Sequence, residues 1–177
     1  MLSATLILQG RTSHELGLDR YAVIMSSSDV ASPCFQRAFN GYYRVRRNEE
    51  WRRCFYSLFA KARDNHYSFE QIIEEMFCQT GNVEASFSSK MLATIDASQP
   101  IWDQYVLHNL GLRLTGTTKE EKLVNAVSLY GQIEKWYNEY LLSSNARENI
   151  VIFDRMFPSY AWLSDTKKID CLLWKMR

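Results

Sequence analysis

One stretch of the chain constrains its fold more than any other, because its apolar residues recur at the spacing of an α-helix. Intervals of three and four residues place these side chains on one helix face. The stripe consists of Trp51, Cys54, Phe55, Leu58, Phe59 and Ala62. Strict alternation of apolar and polar residues, which is the pattern of a half-buried strand, is almost absent from the sequence. The sequence therefore predicts an all-α protein.

Length and composition agree with one helical domain. A chain of 177 residues fits a single domain, and its 46% of hydrophobic and 23% of charged residues are ordinary for a globular protein. With only 7 glycines and 3 prolines, the chain is poor in the turn residues of a β-sandwich. We expect about seven or eight helices in one compact domain over residues 1–177. Residues 1–31 are expected to be a peripheral segment.

Capping residues locate several helix starts. Ser68–Gln71 and Thr118–Glu121 each have the pattern of a capping box, and Ser32 followed by Pro33 predicts another start. Asn145 is the expected N-cap of the helix that follows the longest one. The residues expected to be most deeply buried are Trp51, Phe55, Leu58, Ile72, Phe77, Leu92, Val106 and Ile133.

Charge is unevenly distributed along a chain whose net charge is only +1. Residues 1–63 contain ten Lys and Arg against five Asp and Glu, whereas residues 64–177 contain eleven against fifteen. A basic first half indicates an anionic partner such as nucleic acid. The alternative is a solvated basic face without a partner.

The cysteines and the N-terminal residues bear on the cellular compartment. Cys34, Cys54, Cys78 and Cys171 form no Cys-x-x-Cys pair, and we expect free, buried thiols in a reducing environment. Residues 1–10 lack the basic start of a signal peptide, and no apolar run has the length of a transmembrane span. We therefore expect a cytoplasmic protein without a membrane segment.

The common signatures of nucleotide, serine and metal chemistry are absent from the sequence. It contains no Gly-x-Gly-x-x-Gly and no Gly-x-Ser-x-Gly motif. Gly111–Thr118 resembles a phosphate-binding loop, but Thr117 stands where that loop requires lysine. His14, His66 and His108 lie far from one another and from cysteine, so we expect no metal site. No cofactor is indicated.

Five arginines within ten residues form the first candidate functional feature. The cluster consists of Arg44, Arg46, Arg47, Arg52 and Arg53, interleaved with Tyr42, Tyr43 and Trp51. Guanidinium groups suit phosphate oxygens, and aromatic rings stack on bases, so the cluster predicts a nucleic-acid-binding surface. The alternative is that Trp51 and one of the two tyrosines belong to the core and the arginines are solvated.

The second candidate feature is a segment that brings small and charged residues to neighbouring helices. Ser86–Ile95 predicts a short helix with small residues on one side. Pro100–Asp103 then places a carboxylate at the start of the next helix, where the helix dipole favours its ionised form. Alternatively, Asp103 is only an N-cap, and Lys90 is a surface lysine or the partner of Asp96.

This segment resembles the helix-hairpin-helix DNA glycosylase superfamily, and within it a bacterial branch with a fold like that of 8-oxoguanine glycosylase. The resemblance rests on the Ser-x-x-Ser-Lys-Met-Leu run of Ser86–Leu92 and on the Pro-Ile-Trp-Asp run of Pro100–Asp103. It covers residues 68–112, and Lys168–Trp174 is similar to the closing motif of such proteins. The resemblance implies a glycosylase-like helical core and DNA as the partner.

The resemblance also implies roles for individual residues. In that superfamily an aspartate opens the helix after the hairpin and assists the loss of a base, and Asp103 falls on it. The candidate catalytic residues are Asp103 and Lys90, the candidate substrate-binding residues are Trp102, Tyr105, Ser86 and Ser88, and the arginine cluster would hold the DNA backbone.

Two departures from the superfamily pattern limit what the resemblance implies. The turn Thr80–Glu84 offers one glycine where the superfamily has two, and Glu84 is expected to repel phosphate. Glu84–Phe87 spans the position of the nucleophilic lysine but contains none, so the expected reaction is monofunctional base hydrolysis without strand cleavage. The main alternative is a non-catalytic helical protein that binds nucleic acid or another protein. A third is an enzyme that acts on a small molecule in the same pocket.

Overall fold

The computed structural model describes residues 2–176, and all regular structure in this range is helical. The all-α prediction is thus confirmed. The helices are α1 (Ala4–Leu8), α2 (Ser13–Leu16), α3 (Leu18–Met25), α4 (Pro33–Tyr43), α5 (Glu49–Asp64), α6 (Phe69–Thr80), α7 (Ala85–Ile95), α8 (Gln104–Leu110), α9 (Lys119–Leu141), α10 (Ser144–Met156) and α11 (Asp165–Lys175), with a 3₁₀ turn at Pro158–Tyr160. Within residues 2–176, no helix is both long enough and apolar enough to cross a bilayer.

Helix starts follow the local capping chemistry. At the start of α6 the Ser68 hydroxyl accepts the Gln71 backbone N–H while the Gln71 side chain accepts the Ser68 N–H at 2.8 Å, which confirms that capping box. The box at the start of α9 and the Ser32 cap of α4 are confirmed in the same way. The N-cap of α10 is Ser143 and not Asn145, because the Ser143 hydroxyl accepts the Ala146 backbone N–H. The Asn145 side chain instead accepts from the Tyr140 hydroxyl and donates to the Leu2 carbonyl.

Residues 2–31 contribute to the core and are not a peripheral segment. They form the three short helices α1, α2 and α3, which is why the structure has more helices than the sequence predicts. Eight side chains of this segment are buried: Leu2, Ala4, Leu8, Leu16, Leu18, Tyr21, Ile24 and Val30. The Ala4 backbone N–H also donates to Asn149 Oδ1 at 2.7 Å, which attaches α1 to α10.

The predicted core is largely confirmed, with one exception. The buried members are Trp51, Phe55, Leu58, Ile72, Leu92, Val106 and Ile133. Phe77 is only half-buried, because the buried stripe of α6 is centred on Phe69, Ile72, Ile73 and Met76. At 100° per residue, Phe77 lies roughly 90° around the helix from the centre of that stripe.

The four thiols are free, but they are not all buried as expected. Cys34 and Cys78 are exposed, Cys54 is half-buried, and Cys171 is buried. Cys78 lies on the face of α6 opposite the core stripe, and Cys34 precedes the first inward residue of α4. Burial raises the pKa of the Cys171 thiol to about 11.

Replacing a core leucine tests the packing of α5. Leu58 is 1% exposed, so Leu58→Ala should lower the free energy of unfolding by about 2–5 kcal/mol. The matched control is Leu142→Ala, since Leu142 is 76% exposed and its loss should change stability by less than about 0.5 kcal/mol. Denaturant unfolding measures both variants, and equal losses would contradict the assigned facing of α5.

Candidate functional site

A cavity of about 220 Å³ lies where α2, α4, α7, α8 and α11 meet. The end of α4 and the start of α8 form part of its wall, and α7 and α11 each contribute charged side chains. The cationic residues that line it are Arg44, Lys90 and Lys167, and the anionic ones are Asp103 and Asp170. Aromatic rings complete the wall: Tyr42, Tyr43, Tyr105 and Trp174. The cavity therefore combines apolar ring surfaces with an unusual density of charge.

Asp103 is the N-cap of α8, and its carboxylate also lines the cavity. The carboxylate Oδ1 accepts the backbone N–H of Tyr105 at 2.9 Å, which fixes its orientation at the helix start. The side chain is half-buried. Capping and exposure to the cavity are thus compatible, because the hydrogen bond to Tyr105 uses only one carboxylate oxygen.

Lys90 brings an amine into the same cavity from the middle of α7. Its Nζ donates to Ser86 Oγ at 2.9 Å and lies 5.1 Å from the ring centroid of Phe87 and 5.7 Å from that of Tyr43. No carboxylate among residues 2–176 forms an ion pair with this amine. Burial lowers the pKa of Lys90, and the Asp103 carboxylate only partly opposes this effect. Lys90 therefore loses its proton more readily than an ordinary lysine.

A second charged pair lies at the cavity wall contributed by α11. Lys167 Nζ lies 3.1 Å from Asp170 Oδ2, and the Tyr137 hydroxyl donates to Asp170 Oδ1 at 3.2 Å. Both side chains of the pair are buried, and the Lys167 amine lies 4.6 Å from the ring centroid of Tyr21. Burial raises the pKa of Asp170, while Lys167 and Tyr137 hold it lower than burial alone would.

Sequence reasoning missed this pair as a functional feature. On an amphipathic helix, Lys167 would be expected to point to solvent when Ile169, Leu172 and Leu173 point inward. Every residue from 166 to 173 is buried, however, because α11 is covered on all sides. The signal available in the sequence was the pair of opposite charges at spacing i, i+3. The burial of the helix that carries them is visible only in the structure.

The aromatic wall contains the buried hydroxyl of Tyr43. This hydroxyl interacts with the Thr94 side chain, but it forms no hydrogen bond of good geometry within residues 2–176. Burial raises the pKa values of Tyr42 and Tyr43, so both are neutral at physiological pH. A buried hydroxyl with only a weak partner is a candidate ligand contact.

The structure brings three of the six sequence-predicted catalytic and substrate-binding residues to the cavity wall: Lys90, Asp103 and Tyr105. Ser86 does not line the cavity, but its hydroxyl accepts the hydrogen bond from Lys90 Nζ. Ser88 and Trp102 are buried and do not line the cavity, and the Trp102 backbone N–H donates to Ser89 Oγ at 2.9 Å. These two residues are therefore placed to support the wall and not to contact a ligand.

The arginine cluster does not form one surface. Arg44 lines the cavity, whereas Arg52 and Arg53 line a shallow depression between α4 and α5 together with Arg37. Arg46 is exposed and lines neither. The cluster is divided because residues 44–48 form the non-helical connection between the two helices.

The remaining arginine of the cluster neutralises Glu84. Arg47 Nη2 lies 2.8 Å from Glu84 Oε2, and the Trp51 indole N–H donates to Glu84 Oε1 at 3.1 Å. Trp51 is a core residue that stacks on Phe55 at 4.9 Å between ring centroids. Glu84 is buried, so it does not present the free negative charge that the sequence suggested for the α6–α7 turn.

Comparison of the chain with protein-family models, with curated proteins and with solved structures gives no match. Within residues 2–176, no three His, Cys, Asp or Glu side chains group in a way that would hold a metal ion. The geometry and chemistry of the cavity are therefore the main indications of what this protein does.

Proposed function

We propose that the protein is a DNA glycosylase-like enzyme that binds one extruded base in the cavity and cleaves its N-glycosidic bond. The observation that carries this proposal is the shared position of Asp103 and Lys90, a carboxylate and a half-buried amine, on the wall of one cavity. Ionisable groups in a cavity, one of them with a shifted pKa, are typical of catalytic sites.

The size and walls of the cavity support a base-sized ligand. Its volume of about 220 Å³ is below the range of roughly 300–1,000 Å³ typical of drug-sized ligands. Rings of Tyr43, Tyr105 and Trp174 offer apolar surfaces for a planar heterocycle. Enzymes that act on a base extrude it from the stack into such a pocket.

In the proposed reaction, Asp103 acts on the charge that develops on the sugar. The bond between C1′ and the base nitrogen breaks, and its electron pair leaves with the base. The ionised carboxylate stabilises the cationic sugar and accepts a proton from the water that adds to C1′. The departing base takes up a proton from solvent, so that the products are a free base and an intact strand with an abasic site.

The proposal is tested by measuring release of free base from duplexes that each contain one damaged or mismatched base. We expect release from at least one substrate, without cleavage of the strand. If the protein binds DNA in a salt-dependent manner but releases no base from any substrate, the non-catalytic alternative is favoured. If it neither binds nor cleaves DNA, the small-molecule alternative is favoured.

A second candidate reaction is favoured by the environment of Lys90. A neutral amine is a nucleophile, and burial makes Lys90 easier to deprotonate. The amine would attack C1′ and displace the base with its electron pair. Loss of the amine proton and opening of the sugar ring, whose oxygen gains a proton, would then give an imine.

Trapping the imine distinguishes the two reactions. If Lys90 forms an imine, sodium borohydride should reduce it to a stable covalent complex between protein and DNA. Lys90→Met should abolish this complex, whereas Lys135→Met, at an exposed lysine, should not. Base release by wild-type protein without any trapped complex would exclude the lysine route and leave the hydrolytic one.

The arginines outside the cavity are proposed to hold the DNA backbone. If Arg52 and Arg53 contact phosphates, DNA affinity should fall by roughly 0.9 log units per log unit of salt for each contact. The double variant Arg52→Gln/Arg53→Gln should reduce the steepness of this salt dependence by up to the contribution of about two phosphate contacts. Arg155→Gln removes an exposed arginine from α10 and is the matched control. If the salt dependence of the double variant equals that of the wild type, these arginines do not contact DNA phosphates.

A further inference from the structure

Arg44 has a backbone conformation that its residue type does not favour. It is the C-cap of α4, with φ 54° and ψ 48°, in the left-handed region. Glycine is the usual residue at such a position because a Cβ atom makes the conformation unfavourable. Backbone strain of this kind is maintained where the surrounding structure imposes it, and it is often found at ligand sites.

The guanidinium group of Arg44 has no partner among the residues that the structure describes. It makes no ion pair, side-chain hydrogen bond or ring contact with any residue in the range 2–176. The neighbouring Arg47, by contrast, is engaged by Glu84. Arg44 lines the cavity and is exposed, whereas the Lys167–Asp170 pair in the same wall is buried. Arg44 therefore combines a place in the cavity wall with exposure to solvent.

Cationic side chains outnumber anionic ones in the cavity wall, which favours binding of an anion. Three cationic side chains face two carboxylates there, and both carboxylates already have partners. Asp170 is paired with Lys167, and Asp103 accepts the Tyr105 backbone N–H. A guanidinium group presents a planar fork of donors that matches two oxygens of a phosphate.

We propose that Arg44 binds a phosphate attached to the ligand whose base occupies the cavity. The site thereby recognises a nucleotide in preference to a free base or nucleoside. This inference rests on the proposed function only in placing a base in the cavity. The phosphate belongs either to a nucleoside 5′-monophosphate or to a linkage within a DNA strand.

Two sets of matched ligands separate these sources. The first set pairs each of the four deoxynucleosides with its 5′-monophosphate, and calorimetry gives the affinity ratio within each pair. The second set consists of short single strands that carry, at one linkage beside the central nucleotide, either a phosphodiester or a neutral methylphosphonate. The affinity ratio within each pair isolates the contribution of a single phosphate.

In at least one set, wild-type protein should prefer the charged ligand by about tenfold to a hundredfold, as expected for a charge-assisted hydrogen bond. Arg44→Gln should reduce that ratio to about one, and Arg44→Lys should restore part of it, because lysine keeps the charge but loses the fork. Arg155→Gln should retain the wild-type ratio. Arg44→Gly should lose the preference and yet raise the unfolding midpoint, which a purely structural role would not produce.

Two results would overturn the inference. One is a wild-type protein that shows no phosphate preference in either set, and the other is a preference that survives in Arg44→Gln. If neutral deoxynucleosides still bind in those cases, the proposal that a base occupies the cavity stands, and only the proposed role of Arg44 is wrong. If no ligand of either set binds, the base in the cavity and the role of Arg44 fail together.

Discussion

Asp103→Asn should reduce the rate of base release by about 10²–10³, the usual loss when one electrostatic contact to a transition state is removed. The variant keeps the size of the side chain, and asparagine caps helices about as well as aspartate. The hydrogen bond from the Tyr105 N–H can therefore be retained, and stability should change by less than about 1 kcal/mol. Single-turnover kinetics with saturating protein measures the chemical step directly.

The control for this experiment is Asp96→Asn. Asp96 lies at the start of the connection between α7 and α8, which ends at Asp103. It is exposed and does not line the cavity. Its substitution removes the same charge and should leave base release unchanged. If Asp103→Asn retains the wild-type rate, Asp103 is only an N-cap and has no catalytic role.

Lys167→Met should lower the free energy of unfolding by about 3–5 kcal/mol, because it leaves the buried Asp170 without its counter-ion. Lys167→Met/Asp170→Leu removes both charges and should recover most of the lost stability, since an apolar pair of similar volume is often as stable. Denaturant unfolding at neutral pH measures both variants. If the single and double variants lose the same free energy of unfolding, the loss comes from altered packing and not from the unpaired charge of Asp170.

The loss of unfolding free energy in Lys167→Met should depend on pH in a defined direction. Burial raises the pKa of Asp170, and removal of Lys167 takes away the largest effect that lowers it. The folded-state pKa then lies above the unfolded value of about 3.9, so the folded state binds a proton first as the pH falls. The stability difference between single and double variants should therefore shrink from neutral pH toward about pH 4 and grow as the pH rises. A difference that is constant with pH would show that the pKa of Asp170 in the folded variant is not raised above its value in the unfolded chain.

Local chemistry explains which parts of the fold could be predicted. Capping boxes act within four residues, so Ser68 and Thr118 determine their helix starts whatever surrounds them. Asn145 shows the limit of such reasoning, because Ser143 caps α10 instead and the Asn145 amide donates to the Leu2 carbonyl, which is distant in sequence. Helical periodicity likewise predicted the stripe of α5 but placed Phe77 of α6 too far inward.

The candidate site was predicted only where a motif marked it. Asp103 and Lys90 were identified from their runs in the sequence, and both line the cavity. Lys167 and Asp170 could not be identified, because a pattern in one helix does not reveal that other helices surround it. The arginines were grouped because they are close in sequence, yet the connection at residues 44–48 directs Arg44 and Arg52 to different surfaces.

The attachment of α1 to α10 has a consequence for the order in which the chain is made. Ala4 binds Asn149, and α1 also packs against α11, so α1 finds its partners only after α10 and α11 have been synthesised. At translation rates of about 5–20 residues per second, the apolar residues of α1 remain uncovered for roughly 7–30 seconds. During that interval Leu2, Ala4 and Leu8 are available to chaperones, and the nascent chain completes this part of its core only when α10 and α11 have emerged.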